Sequence, residues 1–236
     1  MSKFTAVVSN YAPRGPESLR VLIDQIQPIF DQIIVVVNDD SATDVTAWES
    51  NEIKYLKRPN TGMNIGGWSE AIDHCAEDNF TIFLQDECRL VDPSFREHYG
   101  KIFANADVGM IAESLNPKWA FPWEQIASSG LNYQIQRSDG RMTSRVDFYR
   151  SCMRDWNIDC GIDGSHGRAL AWAFKPEVLR KIRKFPIGNT KEECIAAEIS
   201  VSKMVRQLGY EFRQSDQQPF AFFEHIECRK NGWSKK

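Results

Sequence analysis

Polar clusters set just after apolar runs hold the side chains best suited to chemistry in this chain. Asn38-Asp39-Asp40-Ser41 follows the run at 32–37, and Gln85-Asp86-Glu87 follows the run at 80–84. Between them lies the turn Asn60-Thr61-Gly62-Met63-Asn64-Ile65-Gly66-Gly67. Carboxylates in such places accept hydrogen bonds from base N–H groups and ribose hydroxyls, and they bind hard divalent cations such as Mg²⁺ or Mn²⁺. Asp86 and Glu87 can supply oxygen ligands, whereas Gln85 is a poor metal ligand that can still hydrogen-bond a ribose. The plain alternative for Asp39-Asp40 is a solvated turn or helix cap. For Asp86-Glu87 it is an acidic loop. Glycines at 62, 66 and 67 permit a tight turn and a close approach of backbone to ligand. No Gly-Lys-Ser/Thr follows them, and no GxGxxG follows the first strand, which argues against a Walker loop and a dinucleotide cofactor.

The elements that must position these residues are legible as a β-α-β rhythm. Residues 4–8 predict a strand ending in Ser9-Asn10-Tyr11. Leu19, Leu22, Ile23, Ile26 and Ile29 then recur at helical spacing. The runs at 32–37 and 80–84 predict strands covered on both faces, as in parallel sheets. Residues 53–56 predict a further strand and 66–76 a helix. In such a sheet the ligand crevice lies beyond the carboxyl ends of the strands. Ser9-Asn10-Tyr11, Asp39-Asp40, Asn60 and Asp86-Glu87 all fall at those ends. Strands at 108–112 and 169–174, a helix at 176–182 and a longer helix stopped by Gly209 continue the pattern. Terminal strands are expected around Phe212 and at 220–223. Residues 114–165 read as irregular.

The succession of motifs resembles the GT-A glycosyltransferases of family 2 type. Their pattern runs from an acidic strand end, through an Asn- and Gly-rich turn, to a DXD motif, and the likeness covers residues 4–95 and 167–209. QDE stands here where that family carries DXD. The resemblance implies an α/β fold with a mostly parallel, Rossmann-like sheet flanked by helices. It implies a single domain: a nucleotide-sugar half at 1–100, an acceptor half with an irregular region at 101–228, and a basic tail at 229–236. It assigns the donor, a nucleoside diphosphate sugar, to Ser9, Asn10, Tyr11, Asp39, Asp40, Asn60, Asn64, Gly66, Gln85 and Asp86. A divalent metal goes to Glu87 and Asp86, with His225 as a third ligand or a phosphate contact.

That family's base lies in an acidic pair upstream of a Gly-Tyr. Counting back from Gly209-Tyr210 reaches Ala197-Glu198, so the resemblance implies Glu198 as the base, with Glu192 and Glu193 as neighbours that compete. Trp119, Trp123, Asp163 and His166 are expected on the acceptor side, where aromatic faces can pack on sugar rings; a Trp in the core is the plain alternative. The implied reaction is transfer of a sugar, with inversion, to a saccharide or lipid-linked acceptor in polysaccharide or glycoconjugate biosynthesis. A non-catalytic nucleotide-sugar-binding domain and a sugar nucleotidyltransferase are the alternatives. A net charge of -3 gives no reason to expect nucleic acid. No segment reaches eighteen uncharged apolar residues, so a cytoplasmic protein with at most peripheral membrane contact is expected. The six scattered cysteines read as reduced, buried small hydrophobes.

Overall fold

A computed structural model describes residues 2–39, 53–137, 139–226 and 228. Asp40 and the basic tail with Arg229 and Lys230 lie outside the described residues. Among the described residues, seven strands form the main sheet in the order β10-β6-β9-β4-β1-β2-β3. They are β1 (Phe4–Tyr11), β2 (Gln32–Asn38), β3 (Ile53–Arg58), β4 (Phe80–Gln85), β6 (Val108–Ala112), β9 (Ala171–Phe174) and β10 (Glu211–Gln214). Only β9 runs against the others, pairing antiparallel with both β4 and β6. The expectation of a mostly parallel sheet therefore holds.

Apolar side chains fill both faces of this sheet. Along β2, Ile33, Val35 and Val37 join one core, while Ile34 and Val36 join the other. The period of two explains why QIIVVV reads as a continuous apolar run: alternate residues enter different cores. Helices α1 (Glu17–Ile26) and α3 (Phe95–Phe103) cover the first face. The second is covered by α2 (Met63–Ala71), α6 (Pro176–Ile182) and α7 (Lys191–Gln207). Helix α7 begins at a full capping box, with Thr190 Oγ1 accepting from the Glu193 N–H and the Glu193 carboxylate reaching back.

The stretch read as irregular holds more order than expected. It contains α4 (Trp123–Ala127), the hairpin β7 (Gln134–Gln136) with β8 (Met142–Ser144), and α5 (Arg145–Asp155). In α5, Val146, Tyr149 and Met153 share one face, with Phe148 and Cys152 beside them, all buried. They pack with Trp119, Trp123, Ile126 and Ile199 in a third core. Of the cysteines expected to be buried, Cys88, Cys152 and Cys228 are, whereas Cys75, Cys160 and Cys194 are half-buried. A short ribbon of β5 (Cys88–Leu90) and β11 (Phe223–His225) stands outside the main sheet and sets the C-terminal segment beside Glu87.

Candidate active site

The sheet reverses its order between β1 and β4, since β2 and β3 lie on one side of β1 and β4 on the other. A crevice opens at such a switch point, beyond the carboxyl ends of the two strands. Ser9 pairs with Gln85 in register, which brings Ser9-Asn10-Tyr11 and Gln85-Asp86-Glu87 together there. The Asp86 N–H donates to Ser9 O at 3.0 Å, and Asn10 Nδ2 donates to Asp86 Oδ2 at 2.7 Å. Asp86 is 3% exposed. The carboxylate turns inward and ties β4 to β1. Asn10 keeps one buried atom, Oδ1, without a hydrogen-bond partner among the described residues.

Arg58 was missing from the sequence reading. At the end of β3 it donates from Nη1 to Asn38 Oδ1 at 2.7 Å and from Nη2 to Thr61 O at 2.9 Å. Asn38 Nδ2 in turn donates to Ser9 Oγ at 2.9 Å. The signal available was its position, just before Pro59-Asn60 at a strand end. Asp39 is buried there, 4.0 Å from Lys57 Nζ. Tyr11 is 40% exposed and Asn60 half-buried, both at the same edge.

The glycines let α2 enter this network. Gly62 has φ 74° at the start of α2, a left-handed conformation that favours glycine. A Cβ on Gly66 would stand 2.0 Å from Thr61 O, and one on Gly67 3.0 Å from Asn38 Nδ2. Gly66→Ala must therefore push the turn off the helix, costing about 3 kcal/mol by overpacking. The expected result is a fall in melting temperature. An unchanged melting temperature would show that the turn relaxes freely.

Ala169, just before β9, joins the strand-end cluster to α7. Its carbonyl accepts from Gln85 Nε2 at 2.6 Å and from Asn64 Nδ2 at 2.9 Å. Its N–H donates to Glu198 Oε1 at 3.1 Å. Burial pushes the Glu198 carboxyl up to about 7, against smaller opposite effects of the Ala169 N–H and Arg168. His166 Nε2 lies 3.7 Å away. His166 donates from Nδ1 to Gly164 O at 2.7 Å, and burial lowers its pKa to about 4. It is therefore neutral, turns a lone pair toward Glu198, and gives that carboxylate no compensating charge.

Gln85 also orients His225. Because its Nε2 is committed to Ala169 O, its Oε1 faces His225 Nε2 at 3.2 Å. A carbonyl oxygen only accepts, so that ring nitrogen carries the proton. Glu87 Oε2 lies 3.7 Å from the same nitrogen, with about a fifth of its side chain exposed. As oriented, His225 Nε2 is a hydrogen-bond donor toward Gln85. No group of three or more His, Cys, Asp or Glu side chains that could hold a metal occurs among the described residues. A partly exposed carboxylate is still the oxygen ligand that Mg²⁺ or Mn²⁺ accepts when substrate phosphates and water complete the shell. Glu87 fits that role.

The expected acceptor residues divide. His166 reaches Glu198, as described. Trp119 and Trp123 are 4% and 2% exposed, packed with Tyr149 and Ile126 in the third core, so neither offers a face to a sugar. Asp163 receives Lys203 Nζ at 2.8 Å and Arg206 Nη1 at 3.1 Å; burial raises its carboxyl pKa, but these cations and the Ser165 N–H together outweigh it and hold the group down at about 2. It neutralises a lysine that is itself 2% exposed.

No protein-family model matches this chain, and no characterised relative is found by sequence. Solved structures do match. The S. aureus TarS fragment 1–349 is 11% identical, with a TM-score of 0.51, and the match covers 97% of this chain and 62% of that one. The mannosyltransferase PcManGT from Pyrobaculum calidifontis, in complex with GDP-Man and Mn²⁺, is 15% identical over 90% of this chain and 54% of that one, at 0.49. A CMP:2-keto-3-deoxy-manno-octonic acid synthetase complexed with CTP is 13% identical over 90% and 89%, also at 0.49. The chain thus spans little more than half the length of the first two. Its fold is GT-A-like, as the motif order implies.

Proposed function

We propose that this chain is a glycosyltransferase that moves a sugar from a nucleoside diphosphate sugar to an acceptor hydroxyl, with inversion and by direct displacement. One observation carries the reading: a carboxyl group brought to about 7, Glu198, is joined through one residue to the strand-end motif at Gln85. A general base works best with a pKa near the working pH. Glu198 would take the proton of the acceptor hydroxyl as its oxygen attacks the anomeric carbon and the bond to the diphosphate breaks.

The base and ribose of the donor would lie over Ser9, Asn10, Tyr11 and Asp39. Asn10 Oδ1, buried and unpartnered among the described residues, supports this because an incoming N–H or hydroxyl would satisfy it. Glu87 would hold a divalent cation, which supplies charge neutralisation for the leaving diphosphate. His225 would donate its Nε2 proton toward the same oxygens, and Gln85 fixes its ring. Gly66 and Gly67 allow the turn and α2 to close on the donor. Acceptors of the saccharide or lipid-linked kind, and a setting in polysaccharide or glycoconjugate biosynthesis at the cytoplasmic side of a membrane, remain part of this proposal. No helix of the described residues is long and apolar enough to cross a membrane. The test is donor hydrolysis and transfer across a panel of UDP-, GDP- and dTDP-sugars, with and without Mn²⁺. Folded protein that binds and turns over none of them sinks the proposal.

A further inference from the structure

Glu113 is a buried carboxylate that none of the chemistry above uses. It follows β6 at the same edge of the sheet as Ser9 and Gln85, and it is 1% exposed. Burial raises its pKa, with hydrogen bonds from Tyr99, Phe222 and Phe223 acting in the opposite direction. The Tyr99 hydroxyl donates to Oε1. Two consecutive backbone N–H groups, of Phe222 and Phe223, donate to Oε2 at 3.0 and 3.1 Å. The Glu113 carbonyl accepts from the Phe220 N–H at 2.9 Å. One residue thus holds three N–H groups of a four-residue segment.

That segment has reason to be held. Phe220 sits at φ 62°, a left-handed conformation costing a non-glycine residue about 1–3 kcal/mol. Three residues later β11 begins at Phe223, and its pairing with β5 sets His225 opposite Cys88. A carboxylate in a water-free place is expensive to bury, and an apolar side chain would pack there instead if packing were the whole requirement. What the carboxylate supplies is a single oxygen that gathers two neighbouring N–H groups. Successive residues of a strand point those groups to opposite sides, so no partner strand could take both.

We propose that Glu113 is a positioning residue of the donor site: it clamps residues 220–223 so that β11 presents the His225 N–H beside Gln85 and Glu87. This rests on the proposed donor site only for the consequence, not for the clamp. Glu113→Gln should preserve it, because the Gln oxygen can accept from both N–H groups while its amide donates to the Tyr99 oxygen. Glu113→Ala leaves two buried N–H groups unpaired and releases the segment. Where that variant does not fold, Tyr99→Phe loosens the same carboxylate by removing one hydroxyl.

Two measurements separate clamp from donor site. The first is the ¹⁵N imidazole spectrum of His225 in the protein alone. Glu113→Ala or Tyr99→Phe should shift or broaden its Nε2 signal, and Glu113→Gln should leave it in place. An unmoved signal in the variants that fold, or a loss in the Gln variant equal to that in Ala, overturns the clamp. The second is calorimetric binding of UDP and GDP with Mg²⁺. Glu113→Ala should weaken binding about tenfold, roughly 1.4 kcal/mol, but less than twofold further when His225→Ala is already present. Equal weakening in both backgrounds overturns the proposed route through His225. Wild-type affinity in His225→Ala alone, with the spectral shift intact, overturns the donor reading of His225 and upholds the clamp.

Discussion

Glu198→Gln should lower the rate of sugar transfer by about 10²–10⁴ while making the protein more stable at pH 8. The two effects have one cause. The fold raises this carboxyl from its ordinary range to about 7 through burial, with a neutral His166 alongside it. A raised acid pKa means that the folded state binds the proton more tightly than the unfolded chain. The associated stability is fully present below the ordinary carboxyl pKa and is lost as pH rises through about 7. At pH 8 the ionised side chain therefore costs about 2 kcal/mol, with the shift taken at 1.36 kcal/mol per unit and trimmed because 22% of the side chain meets solvent.

Glutamine keeps the acceptor for the Ala169 N–H but has no charge to bury. The melting temperatures of wild type and Glu198→Gln should coincide near pH 4 and separate in favour of Gln by pH 8. Wild-type kcat/KM should rise with pH toward a plateau above 7, because the base acts in its ionised form. A Gln variant with wild-type turnover would remove Glu198 from the reaction. A stability gain equal at pH 4 and pH 8 would show that the gain has nothing to do with ionisation.

How far the sequence revealed this site follows from what each signal depends on. Strands β1, β2 and β4 were legible because both faces of the sheet are covered, and continuous apolar runs of that length have few other uses. Strand ends are then where polar residues must appear, so the edge carrying Ser9, Asp39 and Gln85 was readable from burial alone. The direction in which each polar side chain points was not. Asp86 and Glu87 are adjacent in sequence, yet one turns inward to Asn10 and the other keeps a share of solvent.

Helix α5 was hidden by its charges, since Arg145, Asp147, Arg150, Arg154 and Asp155 dilute a face made by Val146, Tyr149 and Met153. Trp119 and Trp123 looked available because their stretch reads as loop, but residues of β7, α5 and α7 enclose them. The link from Gln85 through Ala169 to Glu198 joins residues over a hundred positions apart. Only the antiparallel placement of β9 beside β4 creates it.

Glu87→Ala should abolish the dependence of transfer on Mn²⁺ and lower turnover by about 10²–10³ under saturating metal, consistent with the several kcal/mol a Lewis-acid cation contributes to a leaving diphosphate. The melting temperature should scarcely move. Glu87 holds its segment through its backbone, since its carbonyl accepts from the Ile226 N–H at 3.2 Å, and alanine retains that contact. The comparison that matters is with Asp86→Ala. Asp86 is buried and holds Asn10, so its loss strands an amide and should lower stability by about 1–3 kcal/mol. Two neighbouring carboxylates are thereby expected to fail in different ways, one through metal response and the other through unfolding. Titrating Mn²⁺ against turnover and melting both variants distinguishes them. Retained metal activation in Glu87→Ala would remove this carboxylate from the metal. If metal response were lost only in Asp86→Ala, with its stability intact, the inward carboxylate would have to turn out when donor binds.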